Sequence, residues 1–121
     1  MRIGELAHRT GVSRRSLRYY EEHGLIRARR GENGWREYDA TTVHRVRAIA
    51  ELLDSGLTID GVKDLAPCLD RLDPAHCEDL DLPLRTYHSR LAAVEQRLAH
   101  LEQTRDRLVG RLADLHAQRS A

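Results

Sequence analysis

Four side chains within six residues could grip an anionic polymer: Arg14, Arg15, Arg18 and Tyr19. In a helix they fall at i, i+1, i+4 and i+5 and share one face. Leu17 and Tyr20, three apart, fall on the other face and can pack inward. Three guanidiniums and a phenol offer donors to phosphates, and Arg adds a two-pronged fork suited to the guanine edge. An ordinary solvated face has the same composition, so the neighbouring sequence has to decide between the two. A second group with chemical potential is Cys68, His76 and Cys77, whose donor types suit a thiophilic cation such as zinc. Enzymatic chemistry finds no foothold. The seven histidines are scattered singly, no Ser/His/Asp grouping has usable spacing, and no glycine-rich phosphate loop is present.

The elements that must position the cationic face are legible on either side of it. Residues 3–10 (IGELAHRT) read as a short helix with Ile3, Leu6 and Ala7 inward. Gly11 supplies a tight turn, Val12 fills the corner, and Ser13 can cap the basic helix by accepting a bond from an unpaired amide. A helix, a glycine turn and a capped basic helix make the helix-turn-helix pattern, whose second helix enters the major groove. His23-Gly24-Leu25-Ile26 reads as the helix end, with Gly just beyond it. Residues 27–38 (RARRGENGWREY) place Asn33-Gly34 between short arms, a strong hairpin signal because both residues tolerate positive φ. Arg27, Arg29, Arg30 and Arg36, with Arg45 following, favour phosphate contact by this two-stranded wing. Asp39 or Thr41 can cap the next helix, with Val43, Val46, Ile49, Ala50 and Leu53 as its stripe. A further short helix carries Val62 and Leu65 before Pro67.

The run GELAHRTGVSRRSLRYYEEHGLI, the wing NGWREYD and the segment SGLTIDGVKDL resemble the MerR family of bacterial transcription regulators in order and spacing. The match is detailed over residues 1–66, with Ser16 and Trp35 standing where the family usually has Thr and Tyr. The resemblance implies a mainly α fold: a winged helix-turn-helix domain followed by a long helix forming an antiparallel coiled coil. It implies that Arg18, Tyr19, Arg36 and Tyr38 hold the DNA backbone, and that Arg14, Arg15 and Ser16 lie nearest the bases. It further implies an inverted-repeat operator between promoter elements, DNA that is bent and untwisted to control transcription, and RNA polymerase as partner at the promoter.

From Leu84 the pattern changes. Leu84, Tyr87, Leu91, Val94, Leu98, Leu101, Arg105, Leu108, Leu112 and Leu115 recur at alternating steps of three and four, a heptad seam with one polar interruption. So narrow a stripe needs a second helix to cover it, and a homodimer is the economical answer. Arg90 and Arg97 at g with Glu95 and Glu102 at e would suit a parallel pair. The family implies an antiparallel one, and exposed ion pairs at ~0–1 kcal/mol each do not outweigh that. Arg105 can fix the stagger by reaching a carboxylate of the partner helix. The expected organisation is therefore a DNA-binding domain over 1–66, an acidic cysteine-containing connector over 67–83, and a dimerisation helix over 84–118.

The chain has 121 residues, 4% aromatic content and no Phe, which is too little for a large independent core. The net charge of +1 conceals a partition. Residues 1–47 hold 11 Arg/Lys against 6 Asp/Glu (+5), residues 48–84 hold 2 against 9 (−7), and residues 85–121 hold 7 against 4 (+3). The basic end coincides with the helix-turn-helix, as a phosphate-binding surface requires. No apolar run could span a membrane and no signal peptide is apparent, so a cytoplasmic location is expected. There, cysteines are more often thiols than structural bridges. For Cys68 and Cys77 three readings stand open: a metal site with His76 and an acidic neighbour, a redox-responsive pair, or small packing residues. The cofactor is accordingly a thiophilic ion or none. A rival function of another class is an excisionase-like recombination accessory protein that bends DNA. The long leucine-lined helix discriminates against it.

Overall fold

The structure, a computed structural model, describes residues 1–69 and 79–121. They form two compact units, Met1–Tyr87 and His88–Ala121. The first holds helices α1 (Ile3–Thr10), α2 (Arg14–Glu22), α3 (Ala40–Asp54) and α4 (Ile59–Asp64), strands β1 (Arg29–Arg30) and β2 (Arg36–Glu37), and a 3-10 turn over Ala66–Cys68. A long helix, α5 (Asp81–Ser120), begins in the first unit and supplies the second.

Local chemistry sets the helix ends. Ser13 Oγ accepts from Ser16 N at 3.1 Å, Asp39 Oδ1 from Thr42 N at 3.2 Å, and Thr58 Oγ1 from Gly61 N at 3.3 Å. Each serves an amide of the first helical turn that has no i−4 carbonyl within the helix, and Thr42 N is shared with Asp39 O at 3.1 Å. Of the two caps expected for α3, Asp39 is the one used. At the far end of α2, Gly24 takes φ 73°, so Leu25 N reaches Tyr20 O and Gly24 N reaches Glu21 O, both at 2.9 Å. This left-handed stop turns the chain back at once and sends Leu25 and Ile26 into the core.

That core gathers Leu6 from α1, Leu17 and Tyr20 from α2, Val46, Ile49 and Leu52 from α3, and Val62 with Leu65 at the end of α4. Complete burial of such an aliphatic side chain is worth roughly 1.5–3 kcal/mol. Leu17 and Tyr20 face inward as expected. In α3 the buried set is Thr42, Val46, Ala48, Ile49 and Leu52, whereas Val43, Ala50 and Leu53 are only half-buried. The inward stripe is thus rotated by about one position, because α3 is covered on two flanks rather than one.

The expected connector begins and ends differently in the structure. Cys68 and Leu69 are fully buried, so the head's core extends past residue 66. Cys68 is also disulfide-bonded, which corrects the expectation of a free thiol. His76 and Cys77 lie outside the described residues. Helix α5 starts at Asp81, placing Pro83 in its first turn, where a residue lacking an N–H loses no helical bond. Leu82 packs on the head's core, and Tyr87 Oη lies 2.6 Å from Ser55 Oγ, both within the first unit. Of α5's 40 residues none is buried. Among the described residues no helix is long and apolar enough to cross a membrane.

Candidate nucleic-acid interface

Helix α2 is held from below by Leu17 and Tyr20, and that grip fixes what the outer face presents. Arg14, Arg15, Arg18 and Tyr19 are exposed and Ser16 is half-buried. Arg15, Ser16, Arg18, Tyr19 and Glu22 line an open hollow of about 490 Å³. Tyr19 is braced edge-on by the His23 ring, with centroids 4.4 Å apart, so its phenol is presented in a restricted orientation. Arg14 lies back against α1, where Gly4 has no side chain to obstruct it: a Cβ there would fall 2.7 Å from an Nη of Arg14. The side chains predicted on α2 therefore do share one surface, with Arg14 at its edge.

The wing is small. Its pairing runs Arg29 to Glu37 and Arg30 to Arg36, antiparallel. Gly31 N donates to Trp35 O at 2.8 Å and Gly34 N to Gly31 O at 2.9 Å, closing a three-residue loop over 32–34. Only Gly34 adopts positive φ (78°), and Asn33 instead uses its side chain to accept from Trp35 N at 3.2 Å. The hairpin expected at Asn33-Gly34 is present, and only its glycine uses the left-handed conformation. A three-residue loop needs one such residue, at its end. All four strand residues are exposed. Trp35, 56% exposed, carries the Arg2 guanidinium over its ring at 4.0 Å. The ribbon is extended by the chain start, with Tyr38 N donating to Met1 O at 2.6 Å and the terminal amine of Met1 to Tyr38 O at 2.7 Å.

The two wing residues named from the sequence part company here. Arg36 is exposed. Tyr38 is 3% exposed, and its hydroxyl donates to Glu21 Oε1 at 2.6 Å. Burial, then the Glu21 carboxylate, push its phenol pKa up to about 12. A phenol so placed anchors the wing to α2, and its ring belongs to the core. Glu21 also takes Arg36 Nη1 on its other oxygen at 2.7 Å. Sequence reasoning passed over Glu21. The available signal was its place one step round the helix from inward Tyr20, on the border of the cationic face.

A second hollow, about 380 Å³, lies where α2 meets the wing and is lined by Glu21, Ile26, Arg27, Arg30 and Arg36 among others. Arg45, expected beside the wing as a phosphate ligand, donates Nε to Leu25 O and is half-buried. Arg47 donates to Arg9 O at 2.9 Å, covering the open end of α1. These two arginines brace the helix-turn-helix. Among the described residues no group of three His, Cys, Asp or Glu could hold a metal ion. The proposed set with His76 and Cys77 falls outside them.

An exposed cationic helix beside an arginine-lined hairpin is a surface that complements a phosphate backbone. The comparisons agree with that chemistry. The family model described as MerR HTH family regulatory protein matches residues 1–67, and the one described as MerR, DNA binding matches residues 43–111. The HTH-type transcriptional regulator HmrR of Rhizobium leguminosarum bv. viciae is 32% identical over 105 residues, covering 87% of this chain and 78% of that protein. The mercuric resistance operon regulatory protein of Bacillus cereus is 41% identical over 80 residues, 65% of this chain and 60% of its own. In fold, the chain is similar to HiNmlR, a MerR family regulator lacking the sensor domain, solved bound to promoter DNA. The TM-score is 0.56 at 22% identity, over 88% of this chain and 78% of that one. A regulator from Listeria monocytogenes gives 0.54 at 23% identity, over 93% and 83%. By family match over more than half its length, and by the exposed basic helix-turn-helix that such a match requires, this chain belongs to the MerR family of DNA-binding transcription regulators, which are not enzymes.

Proposed function

We propose that the chain acts as a homodimer that binds an inverted repeat between promoter elements and bends and untwists the DNA for RNA polymerase. The observation that carries this reading is α5, whose seam residues Leu91, Val94, Leu98, Leu101, Leu108, Leu112 and Leu115 are all exposed. A repeating apolar stripe this long is unfavourable in water, and a second copy of the same helix covers it with matching spacing. Arg105 stands in the seam and, among the described residues, pairs locally with Asp106 at 3.2 Å. In an antiparallel pair it would meet a partner carboxylate and set the stagger. Two heads joined in this way read two half-sites, and deforming the duplex between them requires of order 1–10 kcal/mol, drawn from backbone contacts at both ends. Arg18, Tyr19 and Arg36 are assigned to the backbone and Arg14, Arg15 and Ser16 to base edges. Tyr38 supports the wing from behind.

For the signal, the disulfide at Cys68 favours redox control over metal binding, since a soft cation needs the thiolate. Two electrons and two protons from a dithiol reductant would open it to two thiols, one of them inside the head's core.

Duplex selection from a random pool with the wild-type chain, followed by footprinting and a gel-based bending assay, tests the reading. The expected product is a two-fold symmetric site with a bend at its centre. Arg18→Ala should weaken all sites alike and lower the salt slope by about 0.9, the value for one lost phosphate contact. Asymmetric, unbent sites, or a monomeric protein at micromolar concentration, would overturn it. Promoter binding that ignores both reductant and Cys68→Ser would remove the redox element alone.

A further inference from the structure

The wing cannot orient itself. Its strands are two residues long, all four strand residues are exposed, and a two-stranded ribbon without an apolar face is marginal by itself. Its direction relative to α2 must come from ties at its base. Glu21 supplies two of them, one on each carboxylate oxygen: Tyr38 Oη at 2.6 Å and Arg36 Nη1 at 2.7 Å. Arg36 and Tyr38 are two apart on an extended strand, so their side chains lie on one side of it and can meet one carboxylate. The Glu21 side chain is 20% exposed and that of Arg36 65% exposed, so the acid sits behind the base. One of the guanidinium's five donors is committed to Glu21, and the others can serve a phosphate. Arg27 and Arg30 line the same hollow at this joint.

A carboxylate here is otherwise unwelcome, since it places negative charge beside the surface that faces DNA. We infer that Glu21 is a positioning residue: it locks wing Arg36 in register with the recognition helix, so that α2 and the wing engage the duplex as one rigid unit. The inference rests on the proposed backbone role of Arg36. It gives the opposite sign to simple electrostatics, in which removing an acid from a DNA-binding face strengthens binding.

Glu21→Gln separates the two. The amide keeps size and still accepts from the Tyr38 hydroxyl, but it no longer holds a guanidinium through a charged bond. The probe is the duplex that the wild-type full-length chain recovers from a random pool. Wild type, E21Q, R36A and E21Q/R36A are titrated over a range of salt, well below each variant's unfolding temperature. E21Q should weaken binding about ten-fold, the worth of roughly one charged hydrogen bond. Its salt slope should move toward that of R36A, by up to about 0.9. In the R36A background the same substitution should change affinity by less than about two-fold, because the residue through which Glu21 acts has gone. A purely structural role would lower the unfolding temperature and leave the salt slope alone.

Tighter or unchanged binding by E21Q, an unmoved salt slope, or an equal loss with and without Arg36 would each overturn the inference while leaving DNA binding intact. If R36A binds as wild type, the backbone role of Arg36 fails and the inference with it. If wild type recovers no duplex, the proposed function falls first.

Discussion

Replacing Tyr38 with Phe removes a single oxygen and asks whether that phenol faces the core or the DNA. The ring is 3% exposed and keeps its packing in the variant, so no cavity opens. What is lost is the 2.6 Å bond to Glu21 Oε1, an acceptor that is charged and mostly shielded. Hydrogen bonds to charged groups contribute about 1.5–3 kcal/mol net. Glu21 retains Arg36 and some access to water, so the lower end applies, about 1.5 kcal/mol. The first unit, Met1–Tyr87, falls in the size range where 1 kcal/mol moves the midpoint by about 4–8 °C. A drop of roughly 6–12 °C in the unfolding of the head is therefore expected by calorimetry. Duplex affinity measured well below that midpoint should fall only modestly, with the salt slope unchanged. A variant with wild-type stability and strongly impaired binding would refute this reasoning and return Tyr38 to the DNA surface.

Three further outcomes are expected. Tyr38 ionises at about 12 against an ordinary 10.0, because burial and the Glu21 carboxylate favour the neutral phenol. A folded-state value raised above the unfolded one contributes stability in full below pH 10 and loses it as pH rises toward 12. Ultraviolet titration of wild type against Y38F should therefore lose its latest phenolate step, and a missing step near pH 10 would contradict it. Ser13→Ala deletes the acceptor of Ser16 N and should destabilise the head by about 1 kcal/mol in urea titration. No change there would mean that another group caps α2. Leu98→Asp places a charge in the exposed seam and should convert the sedimenting species to monomer, with the far-UV signal of the head retained. A dimer persisting at micromolar concentration would show that another surface joins the subunits.

Much of the frame can be read without coordinates, because the signals are local. Ser13, Leu17, Tyr20 and Gly24 each act through neighbours within four or five positions, so capping, helix phase and the left-handed stop follow from spacing alone. The stripe on α5 is legible for the same reason. Its repeat is a property of the sequence, whatever covers it. The joints are another matter. That Glu21 holds Arg36 and Tyr38, 15 and 17 residues away, depends on where the chain returns after Gly24 and Gly34. Spacing could not distinguish a wing tyrosine aimed at phosphate from one aimed at the core. Nor could composition tell that Arg45 and Arg47 brace backbone carbonyls while Arg15 and Arg18 stay outward. By itself the sequence determined which segments are helical, which face of each is apolar and where the positive charge lies. Only tertiary packing decided which of those charges stay free at the surface and which are drawn into fixing its shape, since that choice turns on contacts between segments distant in the chain.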